Sequence, residues 1–413
     1  MSAFSIPLSG LEATSQSLNV ISNNLANLNT DGYKDETLNF ADIFNQMQGI
    51  SGNGDPIQTG SGVQVAGTSS NFSNGSVTST GVASNLALQG NGFFILQNGS
   101  TTNYSRAGDF TVNSLGLLTT TEGELVMGYP ATNGVISTSG TLAPISVNQT
   151  TTIPALATTS FQLSSNLDSS GGVGAAFTAP ITVYDSLGTP QILTVNYTNT
   201  AANAWNYTIT LPASATGGTG SPTTIASGKL TFDQNGNLTA PSGTVTGIKI
   251  TSLADGAANM NLTWNLNDAS GNPTLSQQDS ASAATTTSQN GYGVGTLKSY
   301  SVLPDGTVQG QFSNNQTLAL GQVAIASFAN PQGLAQSGQS DYQSTFASGT
   351  AVVGSAGQGG DGSITGGAVE GSNVNLSTEF ANMIVAQQGY EANAKALTML
   401  TQISQATIQM MTA

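Results

Sequence analysis

The chain has 413 residues, enough for two to four domains, and 38% of them are hydrophobic, enough to build cores. Only 7% are charged, against roughly a quarter in an average protein, and the formal net charge is −15. This balance excludes an electrostatic footprint on nucleic acid or anionic lipid, and the shortage of charge argues against a disordered chain solvated by ions. There is neither Cys nor His. Disulfides, thiol nucleophiles, zinc–sulfur sites and Ser-His-Asp triads are therefore excluded, and no cofactor, metal or catalytic residue is expected.

The first predicted element is an amphipathic helix over residues 9–28. Ser9-Gly10-Leu11-Glu12 reads as a capping box, with Ser9 as N-cap. Leu11, Thr14, Leu18, Ile21, Leu25 and Leu28 alternate spacings of three and four, a heptad seam with one polar member. The other faces carry Ser15, Gln16, Asn19, Ser22, Asn23, Asn24 and Asn27, which are uncharged and weakly helix-forming. Such a helix is expected to order only when packed. Asn29-Thr30-Asp31-Gly32 ends it with turn chemistry.

Residues 35–70 hold Leu38, Phe40, Ile43, Phe44 and Met47, then a Gly-rich run. They predict a short helix or extended segment followed by a flexible connection, so 29–70 reads as a linker. From about residue 71 the pattern becomes β. Phe93–Gln97 and Thr102–Tyr104 flank Asn98-Gly99, a hairpin signal, and Asn-Gly occurs at seven places, the first residues being 53, 74, 91, 98, 133, 235 and 290.

A Thr-rich stretch at 150–160 marks a boundary. Beyond it, alternating runs such as Ile192–Tyr197, Trp205–Ile209, Lys229–Phe232 and Leu262–Trp264 suggest a β-sandwich or barrel. Residues 280–287 mark a second boundary. The β segment after it, with its Pro304-Asp305-Gly306 turn, lacks a core partner of its own length. Pairing it with 71–145 gives a discontinuous middle domain of 71–145 with 290–360, and 146–289 as an inserted outer domain.

Gly-rich 361–374 reads as a second linker. Asn375 then caps a long helix to about 411, with Leu376, Phe380, Met383, Ile384, Tyr390, Leu397, Leu400 and Ile403 on its apolar side. Gly389 inside it costs about 1 kcal/mol relative to Ala, which packing must supply. The fold class is mainly β with terminal α-helices, the two helices forming a coiled coil. An ordinary core helix pair is the plainer reading of these seams. Their position at the extreme ends and their uncharged second faces favour assembly.

Chemistry within the body is weak. Asp233-Gln234-Asn235-Gly236-Asn237 resembles the start of a calcium loop, but position 244, where the loop needs Glu, is Thr. A hairpin turn is the better reading. Gly359-Gly360-Asp361-Gly362 occurs once where calcium repeats need arrays. No cleavable signal peptide and no run of about 20 apolar residues is evident, so membrane insertion is not expected.

The segment Ile21-Ser22-Asn23-Asn24-Leu25-Ala26-Asn27-Leu28-Asn29-Thr30-Asp31-Gly32-Tyr33-Lys34 resembles the N-terminal motif of the bacterial flagellar rod, hook and hook-associated axial proteins. Residues 370–377 and 383–393 resemble their C-terminal motif. Ala87–Phe94 and Leu320–Leu334 are also similar to the family. The resemblance covers about 1–145 and 290–413, and the insert matches only in its β character. Length, insert and the 320–334 motif are most similar to the hook members.

The resemblance implies a self-assembling helical homopolymer, a curved tube that couples motor to filament as a universal joint and encloses an export channel. Its implied location is extracellular, in the hook and basal body, after type III export without a cleaved signal. Implied partners are further copies, the distal rod, the hook cap and the hook–filament junction proteins. Leu11, Leu18, Ile21, Leu25 and Leu28 would join the C-terminal apolar residues in the inner tube. Asn23, Asn24, Asn27, Thr30, Gly32, Tyr33 and Lys34 carry the motif, and Phe40 with Phe44 matches a short export signal. Asp31 departs from the small residue or Pro common there. A distal rod-type subunit shares both ends but should lack the insert, and a β-rich surface adhesin would not need heptad ends.

Overall fold

The computed structural model describes residues 4–43, 46–50 and 56–412. Helix α1 spans Ser5–Ala26 and helix α2 spans Leu376–Thr412, and nearly all the regular structure between them is β. The chain divides into two compact units. One comprises 1–148, 299–310 and 317–413, and the other 149–298 and 311–316.

Helix α1 begins earlier than its capping box predicts. Phe4 is the N-cap, without a side-chain cap bond, and Ser9 lies inside the helix. Pro7, buried in the first turn, explains the shift. Its missing N–H falls where the helix has no acceptor to offer anyway, and its φ is already helical. Ser9 Oγ instead donates to the Ile6 carbonyl at 2.8 Å and accepts the Val63 N–H at 3.3 Å.

That second bond fixes a strand. The stretch 29–70, expected as a linker with a short helix or extended piece, holds antiparallel strands Glu36–Asp42 and Val63–Ser70, and beyond them Gln46–Ile50 and Pro56–Thr59. It forms an arm alongside α1 rather than a loose connection. The second expected linker, 361–374, also carries strands. Ser363–Gly366 pairs with Leu86–Gln89, and Ala368–Glu370 pairs with Val77–Ser79.

The body of the first unit is an antiparallel sheet around strand Thr317–Ser327, which pairs with Leu125–Thr132, Phe93–Asn98 and Val352–Ser355. The run Phe93-Phe94-Ile95-Leu96 is buried at every position. Alternate residues serve different cores. Phe94 and Leu96 join Phe110, Val126 and Ile325, whereas Phe93 and Ile95 join Tyr104, Met127 and Phe328. A continuous apolar run is what a strand covered on both faces requires. The predicted Asn98-Gly99 hairpin forms, with Gly99 at φ 61°.

The second unit is a two-sheet sandwich. A meander runs through Ala176–Tyr184, Pro190–Ala201, Ala204–Leu211, Thr223–Phe232 and Leu238–Ala240. The other sheet centres on Ser160–Asp168. That strand pairs in parallel with Met260–Asn265 and Leu275–Gln278, and antiparallel with Ala283–Gln289. Every second residue of Ser160–Asp168 and Ala204–Leu211 is buried, and the inward residues share one core with Trp205, Trp264 and Tyr197. Asp233 accepts the N–H groups of Asn235 and Asn237, both at 2.8 Å, and so closes a hairpin turn.

Candidate functional site

The two chain ends lie side by side. Helices α1 and α2 run antiparallel, with Asn24 touching Glu379 near one end and Gly10 facing Asn393 near the other. Between these points, a Cβ placed on Gly389 would sit 3.2 Å from Thr14 Cγ2. The contact face of α1 is therefore Gly10, Thr14, Ile21 and Asn24, largely small and polar. This differs from the predicted leucine seam. Ile21 is buried, but Leu11, Leu18, Leu25 and Leu28 are only half-buried. Small residues win because they let two backbones approach closely where amide side chains must also fit.

The motif after α1 folds into a knot of hydrogen bonds with the segment before α2. Asn24, almost fully buried, makes a reciprocal amide pair with the Glu36 backbone. Its Nδ2 donates to Glu36 O at 2.8 Å and its Oδ1 accepts Glu36 N–H at 3.0 Å. The same Nδ2 donates to Glu379 Oε2 at 3.1 Å. Tyr33 donates its hydroxyl to Asn24 Oδ1 at 3.0 Å and accepts from Asn23 Nδ2 at 3.2 Å. Burial, and then the carboxylates of Glu36, Asp35 and Glu379, push the Tyr33 hydroxyl up to about 12, so it stays a donor. Asn27 and Thr30 extend this network toward the surface.

Asn373 plays the matching part from the other end of the chain. It accepts Asp35 N–H at 2.8 Å and donates to the carbonyls of Asn71 and Ser73. Gly32 donates its N–H to Glu370 O at 2.7 Å. It has φ 67°, and a Cβ there would lie 2.3 Å from Ala107 N, so only glycine fits.

At the centre is a buried ion cluster. Lys34 Nζ lies 2.7 Å from Glu370 Oε1, and both side chains are 0% exposed. Arg106 Nη1 lies 3.6 Å from Glu370 Oε2, with its guanidinium 5.2 Å from the Phe93 ring centroid. Lys34 also donates to Ser73 O at 2.8 Å, and Gly75 N–H donates to Glu370 Oε1 at 2.7 Å. Burial pulls both cations below their usual range, and the Glu370 carboxylate opposes that shift in each. Two of the six basic residues in the chain are spent here. Glu370 and Asn373 fall within the C-terminal motif segment 370–377, but no sequence signal assigned them these roles, and none marked Arg106 or Glu379 as partners.

The predicted residues of α2 divide. Met383, Leu397 and Leu400 are half-buried, whereas Leu376, Phe380, Ile384, Tyr390 and Ile403 are exposed. The distal part of α2 adds Met399, Ile408, Met410 and Met411, all exposed. Phe40 stands on the arm beside a groove of about 420 Å³ lined by Val20, Ile21, Leu38, Val385 and Ala386. Phe44 lies outside the described residues. Among the described residues no group of three or more acidic side chains gathers as metal ligands, and no helix is long and apolar enough to cross a membrane. The arrangement can lock two chain ends together and present uncovered apolar faces.

Comparison with known proteins identifies this architecture. The family described as flagella basal body rod protein matches residues 6–34, and the flagellar basal body rod FlgEFG protein C-terminal family matches 365–410. The flagellar hook protein FlgE/F/G D1 domain matches 87–171, and the flagellar basal body protein FlaE D2 domain matches 146–292. The flagellar hook protein FlgE of Salmonella typhimurium is 37% identical over 97% of this chain and 98% of its own length. That of Borreliella burgdorferi is 32% identical over 98% of each. The crystal structure of Helicobacter pylori flagellar hook protein FlgE2 shares the fold, with a TM-score of 0.50 at 14% identity over 70% of this chain and 98% of that one. Joined ends, a β-rich body and whole-length similarity lead to one conclusion: the chain belongs to the flagellar hook protein FlgE family, the structural subunits of the hook.

Proposed function

We propose that the antiparallel helix pair is the polymerisation module, and that its uncovered apolar residues are contacts between copies in a tubular, bendable hook. The observation that carries this is the set of exposed apolar residues along α2. Phe380, Ile384, Ile403 and Ile408 are exposed along one helix with few charges to solvate it. Large exposed apolar surfaces mark interaction sites, and family membership makes a second copy the first partner to expect.

In this reading Leu11, Leu18, Leu25 and Leu28 complete their burial against neighbours. The knot of Asn24, Lys34, Glu370 and Asn373 holds α1 and α2 at a fixed angle to the body. The role is mechanical, with no catalytic step. Family resemblance supports export through the flagellar type III apparatus, with distal rod, hook cap and junction proteins as partners at the tube's ends. Half-exposed Phe40 remains a candidate export signal.

Ile403→Asp in the full chain tests the module. Tube growth from purified subunits is expected to fail while the thermal unfolding of the monomer stays unchanged, since Ile403 contributes little to the monomer core. Tubes forming in normal yield would sink the proposal.

A further inference from the structure

One side chain contradicts every packing preference in the first unit. Phe346 is 104% exposed, whereas no other described phenylalanine exceeds 49%. It crowns a short turn at 345–348 between strands Asp341–Gln343 and Val352–Ser355.

The turn is braced. Thr345 Oγ1 accepts the N–H groups of Ala347 and Ser348 at 3.1 and 3.2 Å and donates to Gly333 O. Ser348, itself fully buried, accepts Thr345 N–H at 2.9 Å. Asn330 Nδ2 holds Ala347 O at 3.0 Å from the neighbouring segment. A loop bonded this way holds the Phe346 backbone in one place. The backbone that carries the ring is pre-organised, so docking has to order only the two side-chain torsions of Phe346.

We infer that Phe346 is an anchor between copies. The ring of one copy inserts into the groove between α1, α2 and strand Glu36–Asp42 of a neighbouring copy. This rests on the polymerisation reading above. Complementarity supports the pairing. The groove has apolar walls of Val20, Ile21, Leu38, Phe40 and Val385, with Glu36, Glu379 and Asn382 among its polar lining, and most of its accessible surface is apolar, which suits an aromatic guest. A cavity of roughly 150 Å³ already accommodates a benzene ring, so about 420 Å³ is ample. The groove is continuous with the exposed face of α2 at Val385, the surface assigned to copy–copy contact. An aromatic side chain filling a largely apolar pocket is how interfaces concentrate their energy.

The experiment places the photoreactive residue p-benzoylphenylalanine at position 346 in the full chain, grows tubes, irradiates them and maps the cross-links by mass spectrometry. Intermolecular links to peptides containing Val20, Leu38–Phe40 or Val385 are expected. Links to other peptides, links only within one chain, or no links in assembled tubes would overturn the assignment. In parallel, Phe346→Ala should raise the critical concentration for tube growth at least tenfold without shifting monomer unfolding. Ile403→Asp separates the two ideas. If it blocks growth while Phe346→Ala leaves the critical concentration unchanged, the anchor alone is wrong. If Ile403→Asp assembles normally, the helix module itself is wrong.

Discussion

Glu370 sits between two cations, and its removal should be worse than the removal of either one. Taking away Lys34 leaves Arg106 and Glu370 as a neutral pair, while taking away Glu370 leaves two buried positive charges. Breaking a buried pair costs roughly 3–5 kcal/mol because the survivor is uncompensated. Glu370→Gln is therefore expected to cost more than Lys34→Met, as measured by denaturant unfolding of the full chain. Equal costs would show that the 3.6 Å Arg106 contact carries no weight.

A second buried acid gives a pH signature. Asp341 is pushed up to about 7, first by burial and then by the neighbouring Glu124, whose Oε2 is buried without a hydrogen-bond partner. Its folded state holds a proton that the unfolded chain releases near pH 4. The stability it contributes is complete below that pH and is lost as pH rises toward 7, a change of about 2–4 kcal/mol. Asp341→Asn should flatten the melting profile between pH 4 and 7 relative to the parent. Parallel profiles would disprove the shift. Neither cluster could be read from local spacing. Lys34 stood out through its motif, but its partner is 336 residues away, and only the fold brings them together.

At the level of elements, periodicity located both helices and failed on which face they share. The leucines at 11, 18, 25 and 28 form a regular apolar row, so an isolated reading sends them inward. The structure gives the inner position to Gly10, Thr14 and Asn24 against Asn393, Gly389 and Glu379. This follows if the leucines serve a partner absent from the single chain. Gly389, whose cost in a helix interior needed a compensating contact, has one in Thr14. The arm at 36–70 was harder to read. Its strands Glu36–Asp42 and Val63–Ser70 are separated by a long Gly-rich stretch rather than a two-residue turn, so no hairpin signal marks them. The sandwich strands were plain by contrast, because one buried face forces strict alternation.

Across the whole molecule, the cores of the two units are independent in composition. The insert encloses Trp205 and Trp264 in a core drawn entirely from 161–275, while the first unit completes its own cores without residues from that range. The helices, arm and ion cluster all belong to the first unit. Excising 149–298 and closing the gap with a short Gly-Ser linker should therefore leave the assembly surfaces intact. Tubes are expected still to form. We propose that the insert permits bending while the helix pair resists torsion, so what should change is the shape and compliance of the tubes. Electron microscopy of the shortened polymer should show altered curvature and a changed persistence length. Unchanged curvature and stiffness would assign bending to the helices and arm. Failure to assemble, with the shortened monomer still folded by circular dichroism, would instead make the insert part of the copy–copy contact.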